Sequence, residues 1–104
     1  MDFKTFCFDL DGTLCTNTEG AYKNANPYIE RILEVNNLYC LGHTIVILTA
    51  RGFTTGIDWR PFTVYQLKSW SLKYHSLYLS KPFADFYIDD KAVTDDSFFS
   101  CGYA

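Results

Sequence analysis

Short apolar runs alternate with stretches of helical spacing along this chain, and that alternation limits the folds open to it. Residues 3–8 read as a buried strand, Thr44–Leu48 as a second, 76–79 as a third and 86–88 as a fourth. Between the first two, Asn26-Pro27 reads as a helix start, with Asn as N-cap and Pro at the first helical position. Ile29, Ile32, Leu33 and Val35 then keep helical spacing to about Leu41, and Gly42 closes the helix. Asp58 is a candidate N-cap for a second helix over about 59–71, with Phe62, Tyr65, Leu67 and Trp70 toward the core. Lys91-Ala92-Val93 begins a short last turn or helix. Strands alternating with helices predict an α/β fold on a parallel sheet joined by right-handed crossovers. In such sheets ligands sit beyond the carboxyl ends of the strands.

A chain of 104 residues is expected to form one domain, 1–104. A chain of this size buries about 60–65% of its unfolded surface, so the core is modest. Nine Phe, eight Tyr and two Trp give that core much burial per residue. Exposed aromatics also make a homo-oligomer an expectation. The net charge of −3 argues against a general nucleic-acid binder, which carries a basic patch. It allows a phosphate ester as substrate, because a bound divalent cation would reverse the local sign. The four cysteines, Cys7, Cys15, Cys40 and Cys101, have no Cys-x-x-Cys spacing and read as free thiols of a reducing cytoplasm. No apolar run approaches transmembrane length, and the first strand leaves no room for a targeting segment. Residues 14–26 are polar and turn-rich, and read as a loop or short hairpin flap.

The chemistry concentrates in Asp9-Leu10-Asp11-Gly12-Thr13, directly after the first strand. Residues i and i+2 of an extended chain point to the same side, so Asp9 and Asp11 converge on one site. Gly12 lets the backbone turn sharply. The Thr13 backbone and hydroxyl can donate to a phosphate. Thr49 ends the second strand, Lys81 follows the third, and Asp89-Asp90 follows the fourth. Four groups spread over some eighty residues therefore fall at one end of one sheet.

Those segments resemble the four motifs of the haloacid dehalogenase superfamily of phosphohydrolases. Asp9–Thr13 is similar to the first motif, Ile45 to Thr49 to the second, Ser80-Lys81-Pro82 to the third and Phe86 to Asp90 to the fourth. Asp-Gly-Thr-Leu-Cys, Leu-Thr-Ala-Arg-Gly, Thr-Gly-Ile-Asp-Trp-Arg and Tyr-Ile-Asp-Asp-Lys-Ala together resemble a small subgroup described as capsule or lipopolysaccharide biosynthesis phosphatases. The resemblance implies a Rossmann-like three-layer sandwich with a minimal parallel sheet of about four strands. The gaps after the first motif and after Pro82 leave no room for a cap domain, which implies an open site. It also implies a Mg²⁺-dependent phosphomonoesterase acting on a small phosphorylated metabolite, a sugar phosphate or related ester.

In that frame Asp9 is the nucleophile that forms an aspartyl-phosphate, and Asp11 is the general acid and base. Thr49 and Lys81 hold the transferring phosphoryl group. Asp9, the Asp11 carbonyl, Asp89 and Asp90 are the metal ligands, an oxygen-rich set suited to Mg²⁺. Leu10, Gly12 and Thr13 in the first loop, and Ala50, Arg51 and Gly52 in the second, are phosphate- or substrate-binding positions. Each has a plainer reading. Asp before Gly is a common turn pair, Asp89-Asp90 an acidic turn, and Thr49 a β-branched strand terminus. Arg51 either forks onto a substrate phosphate or carboxylate, or makes a surface ion pair. His43 and His75 sit at strand entrances, far from the site, and read as structural; Trp70 and Tyr74 read as core. Two rivals stand beside the phosphatase: a nucleotide or nucleic-acid-end phosphatase, and a non-catalytic metal-binding interaction protein on the same scaffold.

Overall fold

The computed structural model describes residues 2–101, with the side chain of Cys101 outside the described set. Three parallel strands form the sheet: β1 (Thr5–Phe8), β2 (Thr44–Leu48) and β3 (Ser76–Tyr78), in the order β1-β2-β3. Helix α1 (Ile29–Cys40) joins β1 to β2, α2 (Arg60–Ser69) joins β2 to β3, and α3 (Asp95–Cys101) follows. In register, Phe6 faces Ile45 and Phe8 faces Ile47, while Ile47 faces Leu77. Side chains alternate across a strand, so these residues share one face. That face is the buried one. Ile45 and Ile47 are fully buried there with Ile32, Val35 and Leu38 of α1 and Leu67 of α2. Two crossovers running the same way place α1 and α2 on the same side of the sheet. From that side too, Phe98 of α3 meets Phe6 and Phe8 edge-on and Phe99 stacks on Phe8.

The α/β class and the parallel sheet are as expected, but two features of the expected architecture differ. The opposite face carries Thr5, Cys7, Thr44 and Tyr78, all exposed, and Val46 and Leu48, half-buried. Among the described residues the layers are therefore two, not three. The expected fourth strand, 86–88, is also absent from the sheet. Phe86 and Ile88 are 82% and 97% exposed. Local bonding competes with extension there: the Tyr87 hydroxyl donates to the Pro82 carbonyl (2.6 Å) and accepts from the Ala84 N–H (3.2 Å). The ladder on that side ends where the Lys81 N–H meets the Thr49 carbonyl at 3.2 Å.

Helix ends show where local signals prevailed. Gly42, at φ +100°, closes α1 as a Schellman motif: His43 N–H reaches the Leu38 carbonyl and Gly42 N–H the Tyr39 carbonyl. The start of α1 lies two residues later than the Asn26-Pro27 signal places it, with Tyr28 as N-cap. Asn26 is engaged by the flap instead: it exchanges bonds with Thr16, and Pro27 bridges Cys15. In α2 the buried residues are Thr63, Gln66 and Leu67, whereas Tyr65 is 70% exposed. His43 and His75 are structural as expected, accepting through Nδ1 from the Lys4 and Ile45 N–H groups. Trp70 and Tyr74 pack against the core. Cys7, Cys15 and Cys40 are free thiols; the expectation for Cys101 lies outside the described side chains. No described helix is long and apolar enough to cross a membrane.

Candidate active site

A cavity of about 740 Å³ opens beyond the carboxyl ends of the three strands. Asp9 and Asp11 from the loop after β1, Thr49 after β2 and Lys81 after β3 all line it. Parallel strands deliver their following loops to the same end, and this brings residues far apart in sequence together. Ala50, Arg51 and Gly52 line the same cavity, with the flap on one side.

Asp9 sits between two donors. Lys81 Nζ lies 3.4 Å from Oδ1, and the Thr13 hydroxyl donates to Oδ2 at 3.3 Å. Its side chain is one-third exposed, toward the cavity. Burial, only partly offset by Lys81, holds its carboxyl above the ordinary value. Lys81 itself is held by the Tyr87 ring, whose centroid lies 4.2 Å from Nζ. Thr49 is fully buried, and its hydroxyl oxygen accepts from the Arg51 N–H at 3.2 Å. The hydroxyl's own proton is left for an acceptor in the cavity.

In the first loop the turn itself engages two of the amides expected to bind phosphate. Leu10 is a fully buried core residue whose carbonyl accepts from Thr13, Leu14 and Cys15 N–H groups. The Gly12 N–H donates to the Cys15 carbonyl and the Thr13 N–H to Leu10. Neither amide is left for a phosphate, because the tight turn uses both. Thr13 acts on Asp9, through its hydroxyl.

Arg51 makes an ion pair, one of its two expected readings, but a buried one. It is 2% exposed, and it forks onto Asp11: Nε to Oδ2 at 2.9 Å and Nη2 to Oδ1 at 2.8 Å. Its Nη1 donates to Thr63 Oγ1 (3.2 Å) and Gln66 Oε1 (2.8 Å) of α2. The buried face of α2 is polar because this cation lies beneath it. The Tyr22 ring covers the guanidinium at 4.5 Å, and Trp59 meets Tyr22 edge-on at 4.8 Å. Beside Asp11, burial above all and then the carboxylate push the Cys15 thiol up to about 12. Thr63 and Gln66 are site residues that the sequence reading missed. Thr63 and Gln66 carried a signal, two polar residues at i and i+3 beside Leu67 on one helical face.

Asp89 and Asp90 do not join the site. Both are exposed and absent from the cavity wall, and the Asp89 carboxylate caps the Lys91 N–H at 2.9 Å. They follow the segment that did not become a strand, so nothing carries them to Asp9. Mg²⁺ demands several oxygen donors in near-octahedral array. Asp9 offers one carboxylate to the cavity, and no group of three or more His, Cys, Asp or Glu is gathered among the described residues.

The crystal structure of an MCSG target protein from Vibrio cholerae is similar to this one, with a TM-score of 0.82 and 31% identity. The match covers 91% of this chain and 86% of that one. The two proteins belong to one family. No protein-family model and no curated relative matches the chain.

Proposed function

We propose that this chain is a phosphomonoesterase of the haloacid dehalogenase type, acting on a small phosphorylated metabolite such as a sugar phosphate. The observation that carries the reading is Asp9. It is a partly desolvated carboxylate at the cavity wall, oriented by Thr13 and faced by Lys81. A carboxylate so placed can attack phosphorus while an ammonium offsets the charge of the phosphate dianion.

In the first step an Asp9 oxygen forms a bond to phosphorus and the ester P–O bond breaks. The leaving alkoxide takes a proton from the Asp11 carboxyl. In the second step water attacks the aspartyl-phosphate, Asp11 takes the water proton, and the Asp9–phosphorus bond breaks to release inorganic phosphate. Lys81 and the Thr49 hydroxyl hold the phosphoryl oxygens throughout. A Mg²⁺ ion beside Asp9 would offset the charge between the attacking carboxylate and the phosphate dianion.

One observation favours a second reading, a non-catalytic scaffold: Asp89 and Asp90 stand outside the cavity. Phosphate release with and without Mg²⁺, across sugar phosphates, nucleotides and an aryl phosphate, separates the two. Release that disappears in Asp9→Asn supports the phosphatase, and the best ester names the substrate class. No release from any ester favours the scaffold.

A further inference from the structure

We infer that Arg51 is a positioning residue for Asp11, and that the flap acts on Asp11 through it. This rests on the phosphatase reading above. A buried guanidinium spends four of its five N–H donors on Asp11, Thr63 and Gln66, which leaves one Nη2–H and no fork for a substrate clamp. The fork is bidentate, which fixes the plane of the Asp11 carboxylate as well as its distance. Asp11 has no comparable anchor of its own: its other side-chain partner is the weak Cys15 thiol at 3.5 Å.

The flap reaches the same cation by two routes. Gln66, which accepts from Arg51 Nη1, also donates through Nε2 to the Tyr22 carbonyl at 2.8 Å. The Tyr22 ring meanwhile forms the roof over the guanidinium, braced by Trp59. Displacing the short 3-10 helix that carries Tyr22 (Tyr22–Asn24) breaks one hydrogen bond and uncovers the fork. A bulky ester entering past the flap therefore changes the restraint on the residue that handles the proton. The flap is thus a specificity element: its contact with the substrate is read at Asp11 through Gln66 and Arg51.

Leaving-group dependence tests this. An alkyl phosphate needs its leaving oxygen protonated, whereas a nitrophenyl phosphate does not. Mispositioning Asp11 in Arg51→Lys, which keeps the charge and loses the fork, lowers kcat for the alkyl ester by about 10²-fold, the low end for loss of general acid–base catalysis. For the aryl ester the burst of nitrophenol, which reports the first step alone, stays within about 3-fold, while its steady turnover falls because Asp11 also activates the water of the second step; the dissociation constant is unchanged for both esters, since substrate binding is not touched. Tyr22→Leu, a milder change at the flap, gives a smaller effect of the same sign. A weaker dissociation constant for both esters would make Arg51 a substrate ligand, and an equal fall in the first-step rate for both would make it merely structural; either overturns the inference, as does full activity in Arg51→Lys. An independent readout is exchange of the Arg51 Nε–H, followed by nitrogen-15 NMR in the resting protein. Slow exchange in the parent chain, accelerated in Tyr22→Leu, is expected; exchange unaffected by Tyr22 overturns the flap link whether or not any ester turns over. Absence of turnover in the parent chain, with Nε–H protected and sensitive to Tyr22, overturns the phosphatase reading and the catalytic role of Arg51 but leaves the link.

Discussion

Replacing Arg51 with Met should cost far more stability than its position in a loop suggests. The Arg51 side chain is wholly buried and its partner Asp11 is only 17% exposed. Met fills much of the apolar volume and supplies no donors. The Asp11 carboxylate is then left without its fork, and Gln66 Oε1 and Thr63 Oγ1 lose the same partner. Breaking one side of a buried pair costs about 3–5 kcal/mol, chiefly because a charge stays behind unpaired. Asp11 borders the cavity, so water reaches it and the lower end applies to the charge itself. The orphaned Gln66 carbonyl adds about 1–3 kcal/mol. A domain of this size holds about 5–15 kcal/mol in all, so the expected loss of about 4 kcal/mol is a large share. Denaturant unfolding at constant m-value measures it as a shift in midpoint. The double variant Asp11→Leu/Arg51→Met removes both charges, and it should recover to within about 2 kcal/mol of the parent. A loss below about 1 kcal/mol in Arg51→Met alone would refute the argument, because it would mean that solvent already serves Asp11.

Asp9→Asn should abolish phosphate release and also stabilise the fold at neutral pH. The folded Asp9 carboxyl is raised by burial, so the folded state binds its proton more tightly than the unfolded chain does. Stability from this group therefore falls as pH rises from the unfolded value through the raised folded one, and a variant less stable than the parent at neutral pH would refute this. Asp95 has the opposite sign: its bond to Arg31 (2.7 Å) lowers it, so its contribution is present above the unfolded value and lost as pH falls through the folded one. Asp95→Asn should flatten the acid limb of the stability curve, and an unchanged limb would exclude the α1–α3 pair as a source. Gly52→Ala should destabilise by about 1–3 kcal/mol, since Gly52 stands at φ +81° and a Cβ there meets the Ile57 carbonyl. A thermal midpoint equal to the parent's would show that the loop relaxes freely.

The periodicity of the chain by itself determined the three parallel strands, the two crossover helices and the end of the sheet where chemistry gathers. β2 matches its expected bounds and Gly42 closes α1, because a β-branched run and a glycine at positive φ act over a few residues. Asp9, Asp11, Thr49 and Lys81 could be placed in one cavity for the same reason, since strand ends are local features and a parallel sheet aligns them. The fate of 86–88 was not legible. An apolar run becomes a strand only where a neighbour pairs with it, and here Tyr87 turns back on Pro82. With it went the third layer and the approach of Asp89 and Asp90. Arg51 was equally opaque: its sequence neighbours mark a loop, whereas its partners come from residues 11, 22, 63 and 66. Burial of a charge depends on long-range partners, which only the assembled fold supplies, and so the tertiary structure alone decided that this arginine faces inward to Asp11.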